Sequence, residues 1–307
     1  MLTVHNFSYG LVTPALGYLM SCLGAFLGLR CTARAMACVG RERLRWLLLA
    51  AVSIGTTGIW VMHFIAMLGY TIPGQTIHYN VLITIASMLI AVIVVGIGLL
   101  IVGFAARNWR NLLLAGAFTG IGVASMHYTG MAAMRMSARM TYNPDLFVLS
   151  VIIAIVAATA ALWAALNLSG TRNTLGAALI MGVAVSGMHY TGMAAMHLFR
   201  PGTGGGMDMV GGGATAENFL LPLLIGISIL AFIMTATLAL SPTDEELRAD
   251  ADLMARISTV SGGRHGHSAI APPPVVAVPA QRWPRQAVSR ATQARRQAEQ
   301  GDPLSPR

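Results

Sequence analysis

Three histidines of this chain stand in nearly the same company. Met62-His63-Phe64-Ile65-Ala66-Met67, Met126-His127-Tyr128-Thr129-Gly130-Met131 and Met188-His189-Tyr190-Thr191-Gly192-Met193 each set one Met before the His and another four residues after it. The histidines are 64 and 62 residues apart, which marks an internal repeat. Imidazole suits copper, zinc and iron, whereas a thioether selects Cu(I) and is a poor ligand for zinc, calcium or magnesium. On a helix, residue i+4 lies about 40° from residue i, and i+7 about 20° to its other side. His127, Met131 and Met134 therefore form one stripe and His189, Met193 and Met196 another, while His63 and Met67 continue to Tyr70. Met62, Met126 and Met188 fit the pattern but point about 100° away from their histidines.

If the three carrier helices face one another, the imidazoles form one layer and the +4 thioethers a second, one turn further on. A His/Met set without carboxylate or thiolate argues for copper ahead of zinc, with haem in His/Met ligation as the competing cofactor. The reading without chemistry is helix packing, because Met fills irregular gaps in apolar interiors. Three copies at matching depth weigh against it, since ionisable side chains inside a membrane are costly.

That depth is set by the elements that carry the motifs. Of the 307 residues, 55% are hydrophobic and 10% charged, and the mean hydropathy is +0.67, which places the chain among all-α integral membrane proteins. Seven stretches reach the roughly 20 residues that cross a bilayer core, at about 9–29, 46–68, 81–104, 112–134, 147–167, 175–198 and 219–240. They read as three two-helix repeats plus a closing helix, with a motif near the end of each even helix. The first segment lacks the basic n-region of a cleavable signal and reads as a retained helix.

Arg30, Arg34, Arg41, Arg43, Arg45, Arg107, Arg110 and Arg172 fall in loops on one side, and only Arg135, Arg139 and Arg200 on the other. The positive-inside rule then predicts the N-terminus outside, the C-terminus in the cytoplasm and the motifs near the outer face. The formal charge of +9 is largely this topology signal, and without a clustered basic face no nucleic-acid partner is expected. Cys22, Cys31 and Cys38 make no disulfide framework.

Asn6, Asn80, Asn143 and Asn218 precede the odd helices and read as N-caps. Gly116, Gly120, Gly122, Gly176 and Gly182 suit close helix packing. The Gly-rich run between Arg200 and Glu217 reads as a flexible linker. The membrane domain is expected to span residues 1–240. An amphipathic cytoplasmic helix follows over 241–258, then a Pro/Ala/Arg-rich tail over 259–307 with too few large apolar residues to fold.

Met126-His127-Tyr128-Thr129 and Met188-His189-Tyr190-Thr191 spell the signature of the bacterial MHYT domain, and Met62-His63-Phe64-Ile65 is similar to a divergent third copy. The resemblance covers roughly residues 5–240. It implies a multi-pass sensor in the bacterial cell membrane, embedded in the lipid bilayer. In that family the motif residues are thought to hold copper and detect a diatomic gas such as oxygen, carbon monoxide or nitric oxide. Carried over by position, the metal ligands would be His63, His127 and His189 with Met67, Met131 and Met193, followed by Met62, Met126 and Met188. Phe64 departs from the signature, so a phenol is dispensable in one repeat. Many members carry a cytoplasmic output domain. The 67 residues after the last apolar segment are too few for one, so a stand-alone sensor acting on an unknown cytoplasmic signalling partner is expected.

No Ser/His/Asp set, carboxylate pair or phosphate-binding loop can be assembled, so an enzyme is not expected. A copper or small-solute transporter is the alternative. It would need ligands at several depths, and Met20 and Met88 form no ladder.

Overall fold

The structure is a computed structural model that describes residues 4–5, 7–168, 170–199 and 213–240. Its helices are α1 (Val12–Ala37), α2 (Gly40–Leu68), α3 (Val81–Phe104), α4 (Trp109–Ala132), α5 (Pro144–Asn167), α6 (Thr171–Ala195) and α7 (Leu221–Leu240). The first six are long and apolar enough to cross a membrane. The seventh stands where the closing helix is predicted.

Two boundaries differ from hydropathy for the same reason. α1 continues to Ala37, and α2 begins at Gly40 with Arg41, Glu42, Arg43 and Arg45 in its first turns. Hydropathy follows contact with lipid, whereas backbone hydrogen bonding carries a helix past it into polar surroundings. The two acids within these helices, Glu42 and Asp145, lie in first turns, where the helix dipole favours negative charge. At that end of the bundle arginines satisfy helix-end carbonyls. Arg43 donates to Cys38 O (2.9 Å) and Gly103 O (3.2 Å), and Arg107 to Leu166 O.

Each helix packs on the next, and α6 returns to α1, so six helices close a ring; α7 lies against α1 and α2. The exterior is apolar: Leu82 is 78% exposed, Ile180 71% and Leu114 70%, while His63, Thr84, Ser87 and Ser150 are buried. Large aliphatic side chains outward and polar groups inward is the arrangement expected when the solvent is lipid. In α2 the residues Ser53–Val61 form a π-helical stretch that ends one residue before Met62. There α1 and α2 touch backbone to backbone, for a Cβ on Gly24 would lie 2.2 Å from Gly58 N.

The predicted caps hold at two of four positions. Asn80 Oδ1 accepts from Ile83 N (3.1 Å), and Asn143 Oδ1 accepts from Asp145 N (2.9 Å) and Leu146 N (3.1 Å). Asn218 instead lies within a short π turn, Ala216–Leu220, and its N–H donates to Thr215 Oγ1 at 3.3 Å, so the threonine is the cap. Asn6 lies outside the described residues. Asn108, which hydropathy alone does not single out, caps α4 through Asn111 N at 2.8 Å.

Asn80 and Asn143 also act through the backbone, where their N–H groups donate to Ala133 O and Ala195 O, both at 2.8 Å. The start of each of these odd helices is thereby tied to the end of the next even one. Replacing Asn143 by Ala should cost about 1 kcal/mol through loss of the side-chain cap. A lower midpoint on thermal unfolding in detergent checks this.

Short strands tie the connections at the histidine-bearing end. They are β1 (His78–Tyr79), β2 (Met134–Arg135), β3 (Arg139–Tyr142), β4 (Met196–Phe199) and β5 (Ala214–Thr215). β1 pairs antiparallel with β2 and β5, and β3 antiparallel with β4, opposing Tyr142 to Met196. Strands of two to four residues are too short to show an alternating pattern in the sequence. The predicted linker up to residue 212, the helix over 241–258 and the tail over 259–307 lie outside the described residues.

Candidate metal centre

Each even helix carries its histidine within its last two turns, and ring closure brings the three together. The Met62–Leu68 turn of α2 meets both α4 and α6, and those two meet each other. His63, His127 and His189 are buried, none more than 1% exposed. His63 Nδ1 lies 3.0 Å from His189 Nδ1 and 3.1 Å from His127 Nδ1. The ring centroids are 4.9, 5.0 and 5.1 Å apart, and the planes stand 80° to 90° from one another.

This arrangement is poor hydrogen bonding and good ligand geometry. A neutral imidazole nitrogen offers either one N–H or one lone pair in its plane. His63 Nδ1 faces two other Nδ1 atoms, so no assignment of tautomers gives both contacts a well-aligned bond. His63 Nε2 and His127 Nε2 are buried with no hydrogen-bond partner. Such groups are costly to leave unmade. All three histidines offer a ring nitrogen within 4.8 Å of the others, and two of the Nδ1 pairs stand about 3 Å apart, close enough for small shifts to bring the nitrogens to one cation at the usual metal–nitrogen length of about 2.0 Å. Among the described residues, this is the one group of three His, Cys, Asp or Glu side chains whose ligand atoms lie so close together.

The imidazoles are seated by glycines that the motif reading missed. A Cβ on Gly130 would lie 2.5 Å from His63 Nε2, and one on Gly192 would lie 2.3 Å from His127 Nε2. The third residue after each His in repeats 2 and 3 is thus the floor under the imidazole of the preceding repeat. Repeat 1 has Ala66 at that position. The signal was present as a Gly at +3 in both full copies, but its partner lies a whole repeat away.

The signature tyrosines do not reach the nitrogens with their hydroxyls. Tyr128 Oη pairs with Ser150 Oγ on α5 at 2.7 Å. Ser87 on α3 stands one repeat interval earlier, and there Trp60 Nε1 donates to the serine hydroxyl at 3.0 Å. An indole one turn before Phe64 thus replaces the missing phenol, which explains why repeat 1 lacks one. Tyr190 instead packs its ring on Phe7, 5.7 Å between centroids.

The six motif methionines are all buried. Met67, Met131 and Met193 stand one turn beyond the histidines toward the strands, as their spacing requires. Met62 packs its Cγ against Gly17 of α1, and Met188 lines a cavity on the opposite side of the histidine layer. The three cysteines are free thiols on α1 and at its C-terminal cap, outside the cluster. At the strand-bearing end, Tyr79 packs on Phe64 (6.0 Å), whose ring meets His63 edge-on at 4.7 Å. Burial pushes the phenols of Tyr70, Tyr79 and Tyr142 up, the last also because Tyr128 lies beside it. These residues therefore stay neutral around the site.

A family model described as a bacterial signalling protein N-terminal repeat matches residues 57–116 and 120–178. The chain is 38% identical over 257 residues to the bifunctional diguanylate cyclase/cyclic di-GMP phosphodiesterase MucR of Pseudomonas aeruginosa, covering 81% of this chain and 36% of that protein. It is 37% identical over 230 residues to the cyclic di-GMP phosphodiesterase NbdA of the same organism, covering 73% and 28%. To the signaling protein YkoW of Bacillus subtilis it is 28% identical over 195 residues, covering 61% and 24%. The chain thus spans about a third or less of the length of these relatives. No solved structure gives a significant match.

Proposed function

The chain belongs to the MHYT family of bacterial signalling proteins, and from that premise we propose that it is a copper-containing membrane sensor of a diatomic gas or of redox state. The observation that carries this reading is the convergence of three buried Nδ1 atoms from three repeats. His63, His127 and His189 would hold the metal, with Met67, Met131 and Met193 as thioethers from the adjoining turn. Met62, Met126 and Met188 serve packing first. Copper bound there supplies affinity for a soft diatomic ligand and a one-electron redox couple. Imidazole planes set nearly at right angles, with centroids about 5 Å apart, leave no slot between them for a porphyrin, which favours copper over haem. The histidines occupy one layer, which favours a sensor over a transport path with ligands at several depths.

The protein's own part is to hold three helices at one point. Any change in the separation the three imidazoles prefer is felt by α2, α4 and α6 together. The π-helical stretch Ser53–Val61 directly before Met62 offers a place where α2 can take up a change of register, as such stretches do at functional sites. Signalling needs two states of different ligand affinity.

With the N-terminus outside the plasma membrane, the cluster lies near the outer face and the arginine-bearing end faces the cytoplasm. The response then passes to a cytoplasmic signalling partner. The names of the two Pseudomonas relatives favour an enzyme of cyclic di-GMP turnover. Carbon monoxide added to the reduced, copper-loaded protein should give a saturable shift in the vibrational or electronic spectrum with one ligand per chain. A spectrum that carbon monoxide leaves unchanged excludes gas sensing at this site.

A further inference from the structure

Directly below the histidine layer, on the side away from the strands, the six-helix ring lines a partly open cavity of about 60 Å³. Its wall includes Ile59, Val123 and Val185, each four residues before one of the three histidines and hence one helical turn below it. The same threefold repeat that stacks Met67, Met131 and Met193 above the imidazoles stacks three aliphatic residues beneath them.

The rest of the wall is almost wholly apolar. Five alanines of α5, among them Ala158 and Ala161, hold the space open where larger side chains would fill it. Of the two polar residues in the wall, Ser21 and Thr119, the threonine hydroxyl is directed to Val94 O at 3.4 Å. One water needs about 10–15 Å³ and two to four polar partners. The volume suffices for several waters, but the wall offers them few partners, which favours apolar guests over water.

We propose that this cavity is a binding chamber for an apolar molecule the size of dioxygen, and that the histidine layer receives its ligand from it. Such molecules concentrate in the bilayer interior, and the chamber lies one helical turn deeper among the apolar helices than the imidazoles, on the side away from β1–β5. The second half rests on the gas-sensing reading; the chamber itself does not.

Xenon is the probe for the first half, because it binds dry cavities without any metal. Metal-free protein in nanodiscs, followed by xenon-129 magnetic resonance, should bind one xenon per chain saturably above the lipid background. Ala161→Phe and, separately, Ala158→Leu should abolish that binding, with circular dichroism unchanged in at least one of them. No saturable xenon in the parent, binding kept in a folded filled variant, or an acyl chain found in the space would overturn the chamber.

For the second half, carbon monoxide association with the copper-loaded filled variant should slow at least tenfold with dissociation unchanged. An unaltered association rate would overturn the route. Xenon bound in a parent whose copper-loaded form ignores carbon monoxide would keep the chamber and remove the sensing reading, so the two failures are distinct.

Discussion

Replacing His63 by Ala should lower the affinity for Cu(I) by at least two orders of magnitude, while Tyr128→Phe should change it by no more than about threefold. Loss of groups that only support ligands already costs about 10- to 100-fold, and in the proposed site His63 would be the central ligand. Its Nδ1 is the atom that touches both of the others, at 3.0 and 3.1 Å. Tyr128 is equally part of the signature, yet its hydroxyl is spent on Ser150.

The apo protein separates ligation from folding. His63→Leu removes a buried imidazole whose Nε2 has no partner, so the metal-free variant should unfold no earlier than the parent. Elemental analysis, a Cu(I) titration against a competing chelator and an unfolding curve together read these outcomes. Stoichiometric copper in His63→Ala at parental affinity would return the cluster to helix packing.

Two glycines five residues apart on α6 should behave in opposite ways. Gly192→Ala puts a methyl group 2.3 Å from His127 Nε2, inside the van der Waals contact distance, whereas a Cβ on Gly187 meets nothing within 4 Å. The first substitution should destabilise by about 1–3 kcal/mol, the range for overpacking. It should also weaken copper binding, because the ring that must yield is one of the three proposed ligands. The second should be neutral or stabilise by up to about 1 kcal/mol, the helical preference of Ala over Gly. Unfolding midpoints with and without copper test the pair. Equal effects at both positions would mean that Gly192 acts only through helix propensity.

Much of the molecule was legible before any coordinate. The apolar stretch 81–104 coincides with α3, and Asn80 and Asn143 cap as their positions suggested, because hydropathy and capping act over a few neighbouring residues. Where expectation failed, distant parts of the chain intervened. Asn218 lost its capping role to Thr215, whose neighbour Ala214 is held in a strand against Tyr79. The all-helical reading passed over β1–β5, whose pairing joins residues as far apart in the chain as His78 and Thr215.

The division follows from what a local pattern can specify. The sequence by itself determined that His63, His127 and His189 each stand near the end of an apolar helix with a Met one turn beyond, since hydropathy and a 3.6-residue period are properties of each segment alone. Which face of one helix meets which face of another depends on the whole ring closing from α6 back to α1. Only that closure decided that the Nδ1 atoms of His127 and His189 come within about 3 Å of that of His63, that Gly130 and Gly192 seat the imidazoles of the preceding repeats, and that an apolar cavity remains beneath them. Packing between residues a whole repeat apart is settled by shape complementarity across helices, and no spacing along one helix encodes it.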